Sequence, residues 1–194
     1  MTRCRFDKAY YDHFYRNPLT RAVSPAAVKR QAAFIAAYLK HLQIPIASIV
    51  DIGCGVGTLL RALQHAFPRA RCQGVEYSDY LCERYGWKRG SVETYEATTA
   101  YDLVVCNDVL PYLDDQTCTK ALDNLGRLSR GALYCGALTH EDLEHCDPDR
   151  TDLQQHVRPS TWYRERLAKE FMNVGGGLFL KQPVEVTVWA LDRA

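Results

Sequence analysis

The chain has 194 residues, 47% of them apolar, enough for one ordinary domain with a full core, so a second domain is not needed. Its 24 basic and 23 acidic side chains leave a net charge of +1, which disfavours nucleic acid as a partner. No apolar run reaches the ~18 residues of a membrane span, and MTRCRFDKAYYDHFYR at the start lacks the apolar stretch of a signal peptide.

In chain order, Tyr10, Tyr11, Phe14 and Tyr15 come first, as two helically spaced aromatic pairs. Ser24 and Pro25 are an N-cap and first-turn signal, and Val28, Ala32, Ile35, Leu39 and Leu42 repeat at helical spacing up to Pro45. The stretch SIVDIGCGVGTLL, Ser48 to Leu60, then reads as a strand ending on an acid, a turn through Gly53, Gly55 and Gly57, and the start of a helix. Leu60, Leu63 and Phe67 mark that helix, stopped by Pro68. A strand over Cys72 to Tyr77, a short helix over Asp79 to Tyr85 and a brief strand near Trp87 to Val92 follow. The run YDLVVCN, Tyr101 to Asn107, has the continuous apolar character of a parallel strand covered on both faces. Cys118, Ala121, Leu122, Leu125 and Leu128 predict an amphipathic helix ended by Gly131, before a fifth strand over Ala132 to Leu138. Asp142 to Arg158 is a polar connection, and Tyr163, Leu167 and Phe171 line another helical face. Two strands, Gly177 to Lys181 and Val184 to Leu191, close the chain around a turn at Gln182 and Pro183.

Alternating strands and helices predict an α/β fold: a doubly wound, Rossmann-like, seven-stranded sheet, mostly parallel, with helices on both faces. Two strands joined by so short a turn must be antiparallel, so the sheet ends in an antiparallel hairpin. The expected organisation is a single domain over 1–194, with a helical cap over 1–45 and the core over 46–194.

The glycine turn carries the chemistry. Glycines at alternate positions let a ligand press against bare main chain, and the helix behind them aims unpaired N–H groups into the same space. A dinucleotide fingerprint spaces its third glycine three residues after the second; here the gap is two, and Asp51 precedes the first glycine by two. This D-x-G-x-G-x-G pattern resembles motif I of the class I S-adenosylmethionine (SAM)-dependent methyltransferases, of the small-molecule type. The closing hairpin agrees with that family and separates it from nicotinamide-dependent dehydrogenases.

The resemblance runs from about Ile46 to Leu191 and implies a cofactor site made of Asp51, Gly53, Cys54, Gly55, Gly57, Glu76, Tyr77, Ser91, Val92, Asn107, Asp108 and Val109. Glu76 would accept hydrogen bonds from the ribose hydroxyls, Tyr77 would cover the adenine face, and Ser91 with Val92 would read the adenine edge. Ser91 stands where the family often has Asp. Asn107, Asp108 and Val109, in CNDVLPYL, resemble the family's fourth motif, beside the methionine end of SAM. In similar small methyltransferases an N-terminal helix lies over the cofactor, which makes Tyr11 and Tyr15 substrate-binding candidates, with Arg158 and Trp162 bordering the same pocket. His140 and Asp108 are the catalytic candidates, His140 because a strand leads into it and an imidazole titrates near neutrality. His140, Glu144 and His145 match no metal-ligand spacing, so no metal is expected.

The function implied is SAM-dependent methyl transfer to a small-molecule acceptor by in-line displacement. The alternatives are a methyltransferase of protein or RNA, or a SAM-binding protein without catalysis. Eight cysteines, Cys4, Cys54, Cys72, Cys82, Cys106, Cys118, Cys135 and Cys146, contain no C-x-x-C pair and lie partly in apolar runs, so a reduced, cytoplasmic protein without a membrane partner is expected.

Overall fold

The computed structural model describes residues 5–188. Strands β1 (Ser48–Ile52), β2 (Arg71–Glu76), β3 (Lys88–Arg89), β4 (Tyr101–Asn107), β5 (Ser129–Gly136), β6 (Phe171–Gly175) and β7 (Leu178–Lys181) form one sheet in the order β3-β2-β1-β4-β5-β7-β6. The first five are parallel, and β7 runs antiparallel to both β5 and β6. This is the expected doubly wound sheet.

Helices α1 (Lys8–Tyr11), α2 (Pro25–His41), α3 (Thr58–Ala66), α4 (Asp79–Tyr85), α5 (Asp115–Leu128), α6 (His140–Leu143) and α7 (Ser160–Leu167) complete it. Alternation within the strands splits the core into two layers. Ile49, Leu103, Val105 and Ala132 pack with α2 and α3, while Val50, Ile52, Val104, Cys106 and Leu133 pack with α5 and α7. Covered on both faces, β1 and β4 are apolar through their middles, at Ile49–Val50 and Leu103–Cys106, with polar residues toward their ends.

The start of α2 follows its sequence signal: the Ser24 hydroxyl accepts the Ala27 N–H at 3.1 Å, with Pro25 in the first turn. Because α2 buries Ala32, Ile35, Ala36 and Leu39, it belongs to the core layer. The cap expected over 1–45 therefore narrows, within the described residues, to α1 and the π-helical turn Asp12–Arg16 behind it.

Two elements differ from expectation. Helix α5 does not end at a glycine but passes directly into β5 at Ser129, leaving Gly131 inside the strand. A Cβ there would lie 2.6 Å from the Asp102 carbonyl oxygen, where the β4–β5 register is irregular between Tyr101 and Leu103, so the strands approach over bare backbone. The closing hairpin is also displaced toward the N-terminus. It pairs Phe171–Gly175 with Leu178–Lys181 around Gly175, Gly176 and Gly177, all at positive φ, so Phe171 is in a strand and Gln182–Pro183 lies beyond the hairpin. Residues 184–188 are not a strand, and the rest of the expected strand to Leu191 lies outside the described residues.

The glycine turn depends on conformations that only glycine takes without strain. Gly53 has φ +74°, and a Cβ there would run into the Val109 side chain. Gly53→Ala is expected to cost about 2 kcal/mol in urea unfolding, about half of it the left-handed backbone. Adding Val109→Ala should recover the steric part and leave the backbone part; full recovery would mean that φ at Gly53 carries no cost.

Candidate functional site

The C-terminal ends of β1, β2 and β4 open into one cleft, as doubly wound sheets do where strand order reverses. The glycine turn is tied to β2: the Gly53 and Cys54 N–H groups donate to the Val75 carbonyl at 2.8 and 3.1 Å. Gly55, at φ +54°, donates its N–H to Glu76 Oε2 at 2.7 Å, and Glu76 Oε1 accepts the N–H groups of Tyr77 and Ser78, both at 2.9 Å. Glu76 is therefore a buried bracket between turn and strand as well as a group facing the cleft. Gly57, at φ +73°, is the residue from which α3 starts. Behind the turn, Trp87 donates its indole N–H to the Gly55 carbonyl at 2.9 Å and fills the space that a Cβ at Gly57 or Gly74 would need.

The cleft has two adjoining lobes. The smaller, about 320 Å³, is lined by Tyr11, Glu76, Tyr77, Ser91, Val92 and Val109 among others. The larger, about 640 Å³, takes in Asp51, Cys54 and the Gln31 side chain of α2. Gly53, Gly55, Tyr15, Asn107 and Asp108 border both. Of the expected cofactor residues, only Gly57 lines neither lobe, sitting one step back as the cap of α3. Ser91 spends its hydroxyl on Thr94 Oγ1 at 2.7 Å, while Glu93 Oε2, in the same lobe, is shut off from solvent and has no hydrogen-bond partner. On α5, Asn124 holds this edge in place by donating to the Val92 and Tyr95 carbonyls at 2.7 and 2.9 Å.

Asp108 stands at φ +56°, a backbone state that costs a non-glycine residue energy and recurs where function holds a side chain in place. Its N–H donates to the Gly136 carbonyl at 2.8 Å and its carboxylate, exposed to the open cleft, accepts from Asn107 Nδ2 at 3.0 Å; the protein crowded around it pushes its pKa upward, a shift that the exposure tempers. Asn107 is aimed in turn by Gln31, whose amide donates to its Oδ1 at 3.1 Å.

Over the cleft lie α1 and the turn after it. Tyr10 and Tyr112 share a hydroxyl hydrogen bond of 2.8 Å, and Phe6 packs edge-on against both rings at 5.1 and 5.2 Å. The Ser78 hydroxyl donates to the Phe6 carbonyl at 2.6 Å, and Arg16 reaches the Tyr80 hydroxyl at 2.9 Å, fastening the segment to the start of α4 and to its face. Tyr11 and Tyr15 both face the cleft from this segment.

Three expected residues are elsewhere. His140, at the start of α6, is exposed and lines neither lobe; its N–H donates to the Arg158 carbonyl at 3.1 Å. Arg158, 4% exposed, is an internal tie: Nε meets Asp115 at 2.7 Å, and the terminal nitrogens donate to the carbonyls of Leu113 at 2.6 Å and His156 at 3.0 Å and to the Tyr163 hydroxyl at 3.3 Å. Trp162 lies between Arg158 and Arg166, whose guanidinium carbons are 4.7 and 3.7 Å from its ring centre. Both side chains are engaged in these contacts and line neither lobe. Conversely, Gln31, Trp87 and Asn124 contribute unexpectedly. Gln31 left a trace in the sequence, a polar residue within the Val28–Ala32–Ile35 stripe; Trp87 and Asn124 left none.

Asp51 closes β1 2% exposed, and no hydrogen bond to its carboxyl exists among the described residues. Burial first and the nearby Glu76 carboxylate second push its pKa up to about 7. A raised carboxyl pKa means that the folded state keeps a proton the unfolded state has released, so this group's contribution falls as pH rises from about 4 to about 7. Asp51→Asn is therefore expected to raise the melting temperature of the ligand-free protein at pH 8 by roughly 4–8 °C, about 2 kcal/mol, and to do nothing at pH 4. An equal effect at both pH values would show that Asp51 is not a buried, titrating acid.

With this geometry in view, comparison with known proteins is specific. Residues 50–131 match a methyltransferase domain family. Cephaeline 6'-O-methyltransferase CiOMT of Carapichea ipecacuanha is 25% identical over 126 residues, 60% of this chain and 35% of the relative. Malonyl-[acyl-carrier protein] O-methyltransferase of Anoxybacillus flavithermus is 30% identical over 106 residues, 50% of this chain and 41% of the relative. The chain thus spans between a third and a half of the length of these curated relatives. Among solved structures, magnesium protoporphyrin IX methyltransferase (ChlM) from Synechocystis with bound S-adenosylhomocysteine (SAH) superposes with a TM-score of 0.61 at 19% identity, covering 86% of each chain. Residues 50–131 are thus similar to a methyltransferase domain, and the chain as a whole shares the fold of class I SAM-dependent methyltransferases.

Proposed function

We propose that the protein binds SAM in this cleft and transfers its methyl group to a small-molecule acceptor. The carrying observation is Glu76, whose carboxylate is oriented by three backbone N–H groups beside the glycine turn and faces the smaller lobe. Two further features fit the cofactor: Glu93 Oε2, an orphaned acceptor in the smaller lobe, and Asp51, a buried acid without a partner that faces the larger lobe and suits a cationic amino group. In this reading Glu76 holds the ribose, Val92 and Tyr77 flank the adenine, and Gly53 to Gly55 with Asp51 hold the amino-acid end. When bound, SAM supplies a methyl group already activated by its sulfonium charge. The protein's own work is alignment and exclusion of water, which Tyr10, Tyr11 and Tyr15 perform from above and Asn107 and Asp108 from the floor.

A small acceptor is supported by the segment over the cleft and by the curated relative named for cephaeline. No helix among the described residues is long and apolar enough to cross a membrane. We place the protein in the cytoplasm because its eight cysteines are scattered without a C-x-x-C pair and lie partly in apolar runs, as small hydrophobes do.

Isothermal titration of the purified protein with SAM, SAH and NADH tests the reading. Micromolar binding of the two sulfur ligands and none of NADH is expected; binding of NADH alone would replace the assignment with an oxidoreductase.

A further inference from the structure

The larger lobe has a one-sided chemistry. Asp51, Asp108, Asp142 and Asp152 all line it, and among the described residues no lysine, arginine or histidine does. Two of the four are already satisfied: Asp152 pairs with Arg5 at 2.7 Å, and Asp142 accepts the Thr139 hydroxyl and N–H at 2.6 and 3.1 Å as part of the cap of α6. Asp51 and Asp108 have no cationic partner; Asp108 takes only the neutral Asn107 amide. Asp51 sits beside the glycine turn, at the cofactor end. Asp108, on the border of both lobes, is left to face whatever enters from the other side.

The walls of that side are aromatic. Tyr10, Phe14 and Tyr112 line it, and ring faces carry the negative potential that draws cations. The protein already uses one of these rings in this way: the Arg5 guanidinium lies 4.9 Å from the centre of Tyr112. On the same wall, Gln155 donates its amide N–H to the Tyr112 hydroxyl at 3.0 Å, while its Oε1 is shut off from solvent with no partner. An orphaned carbonyl oxygen is satisfied only by a donor, an N–H or O–H. An acceptor bearing a carboxylate or phosphate would bring a like charge to Asp108 with no cation in the lining to offset it.

We propose that the methyl acceptor is a small organic amine, its apolar body against the wall formed by Tyr10, Phe14 and Tyr112 and its nitrogen directed to Asp108. This rests on the methyltransferase reading above. The amine enters as an ammonium ion and must lose a proton to expose its lone pair; Asp108 is the group placed to take it. The nitrogen then gains a C–N bond as the donor's C–S bond breaks with its electron pair left on sulfur, and the product is a methylated ammonium ion and a neutral thioether.

Three probes of one shape separate the possibilities: 2-phenylethylamine, 2-phenylethanol and phenylacetate, each titrated into the full chain with and without SAH and followed by ligand-observed NMR. The amine is expected to bind about tenfold tighter than either other probe. Asp108→Asn should remove most of that preference and leave the alcohol unchanged. Phe14→Leu, which keeps an apolar wall, should weaken the amine several-fold more than the alcohol, and covers the case in which Asp108→Asn fails to fold. Phenylacetate binding as tightly as the amine, or no binding of the amine to either form, overturns the proposal. SAH binding, read separately in the same titrations, reports on the methyltransferase reading itself, so the two can fail independently.

Discussion

Glu76→Ala should be the most damaging single change in the cleft, lowering SAM affinity by roughly 10- to 150-fold and the ligand-free melting temperature by roughly 6–12 °C. The first effect is the loss of a charged acceptor for the ribose, at about 1.5–3 kcal/mol. The second follows from the three N–H groups of Gly55, Tyr77 and Ser78, which lose the shared carboxylate that brackets the turn to β2. Thermal melts without ligand and calorimetry with SAM separate the two. Glu76→Gln, which keeps one carbonyl oxygen and the side-chain volume, should fall between wild type and alanine in both. A lower melting temperature with unchanged SAM affinity would confine Glu76 to holding the turn.

Arg158→Ala is expected to destabilise the fold by about 3 kcal/mol or more, an effect unrelated to ligand. The Asp115 carboxylate is largely exposed and will simply hydrate, so the ion pair is not the source. The cost lies with the part-buried carbonyls of Leu113 and His156 and the buried Tyr163 hydroxyl, acceptors that one buried guanidinium serves together. Arg158→Lys should rescue little, because a single ammonium cannot reach divergent acceptors as a planar fork does. Hydrogen exchange should show the loosening in residues 139–158, since a bridge pairs Arg158 with Thr139 at one end of that connection and the Arg158 side chain ties the other end to Leu113 and Asp115. Unchanged stability in the alanine variant would mean that these bonds carry no net weight.

The parts of the molecule legible in its sequence were those set by local rules. The acid, three glycines and helix start at Asp51 to Thr58 require particular backbone conformations, and the run Leu103–Cys106 within Tyr101–Asn107 is continuously apolar because both its faces are covered. Ser24 and Pro25 fixed the start of α2 for equally local reasons. The errors came from contacts between distant segments. Gly131 looked like a helix stop because its other function, letting β5 pass close to Asp102, needs a partner 29 positions away. Phe171 fits helical spacing after Tyr163 and Leu167, and only the pairing with β7 makes it a strand residue. Arg158 stands in a polar connection that resembles any solvated loop, yet it is buried by carbonyls from the segment after β4. A charged residue's sequence neighbours do not reveal which acceptors will surround it.

Trp87 makes the cleft optically observable. Its indole bonds to the Gly55 carbonyl and lies against the glycine turn, whereas Trp162 is held between two arginines away from both lobes. Any ligand that moves the turn changes the surroundings of Trp87 and leaves those of Trp162 unchanged, while the third tryptophan, Trp189, lies outside the described residues and its signal is removed by subtracting a Trp87 variant. Occupancy can therefore be followed in unlabelled protein by intrinsic emission, with Trp87→Phe as the blank.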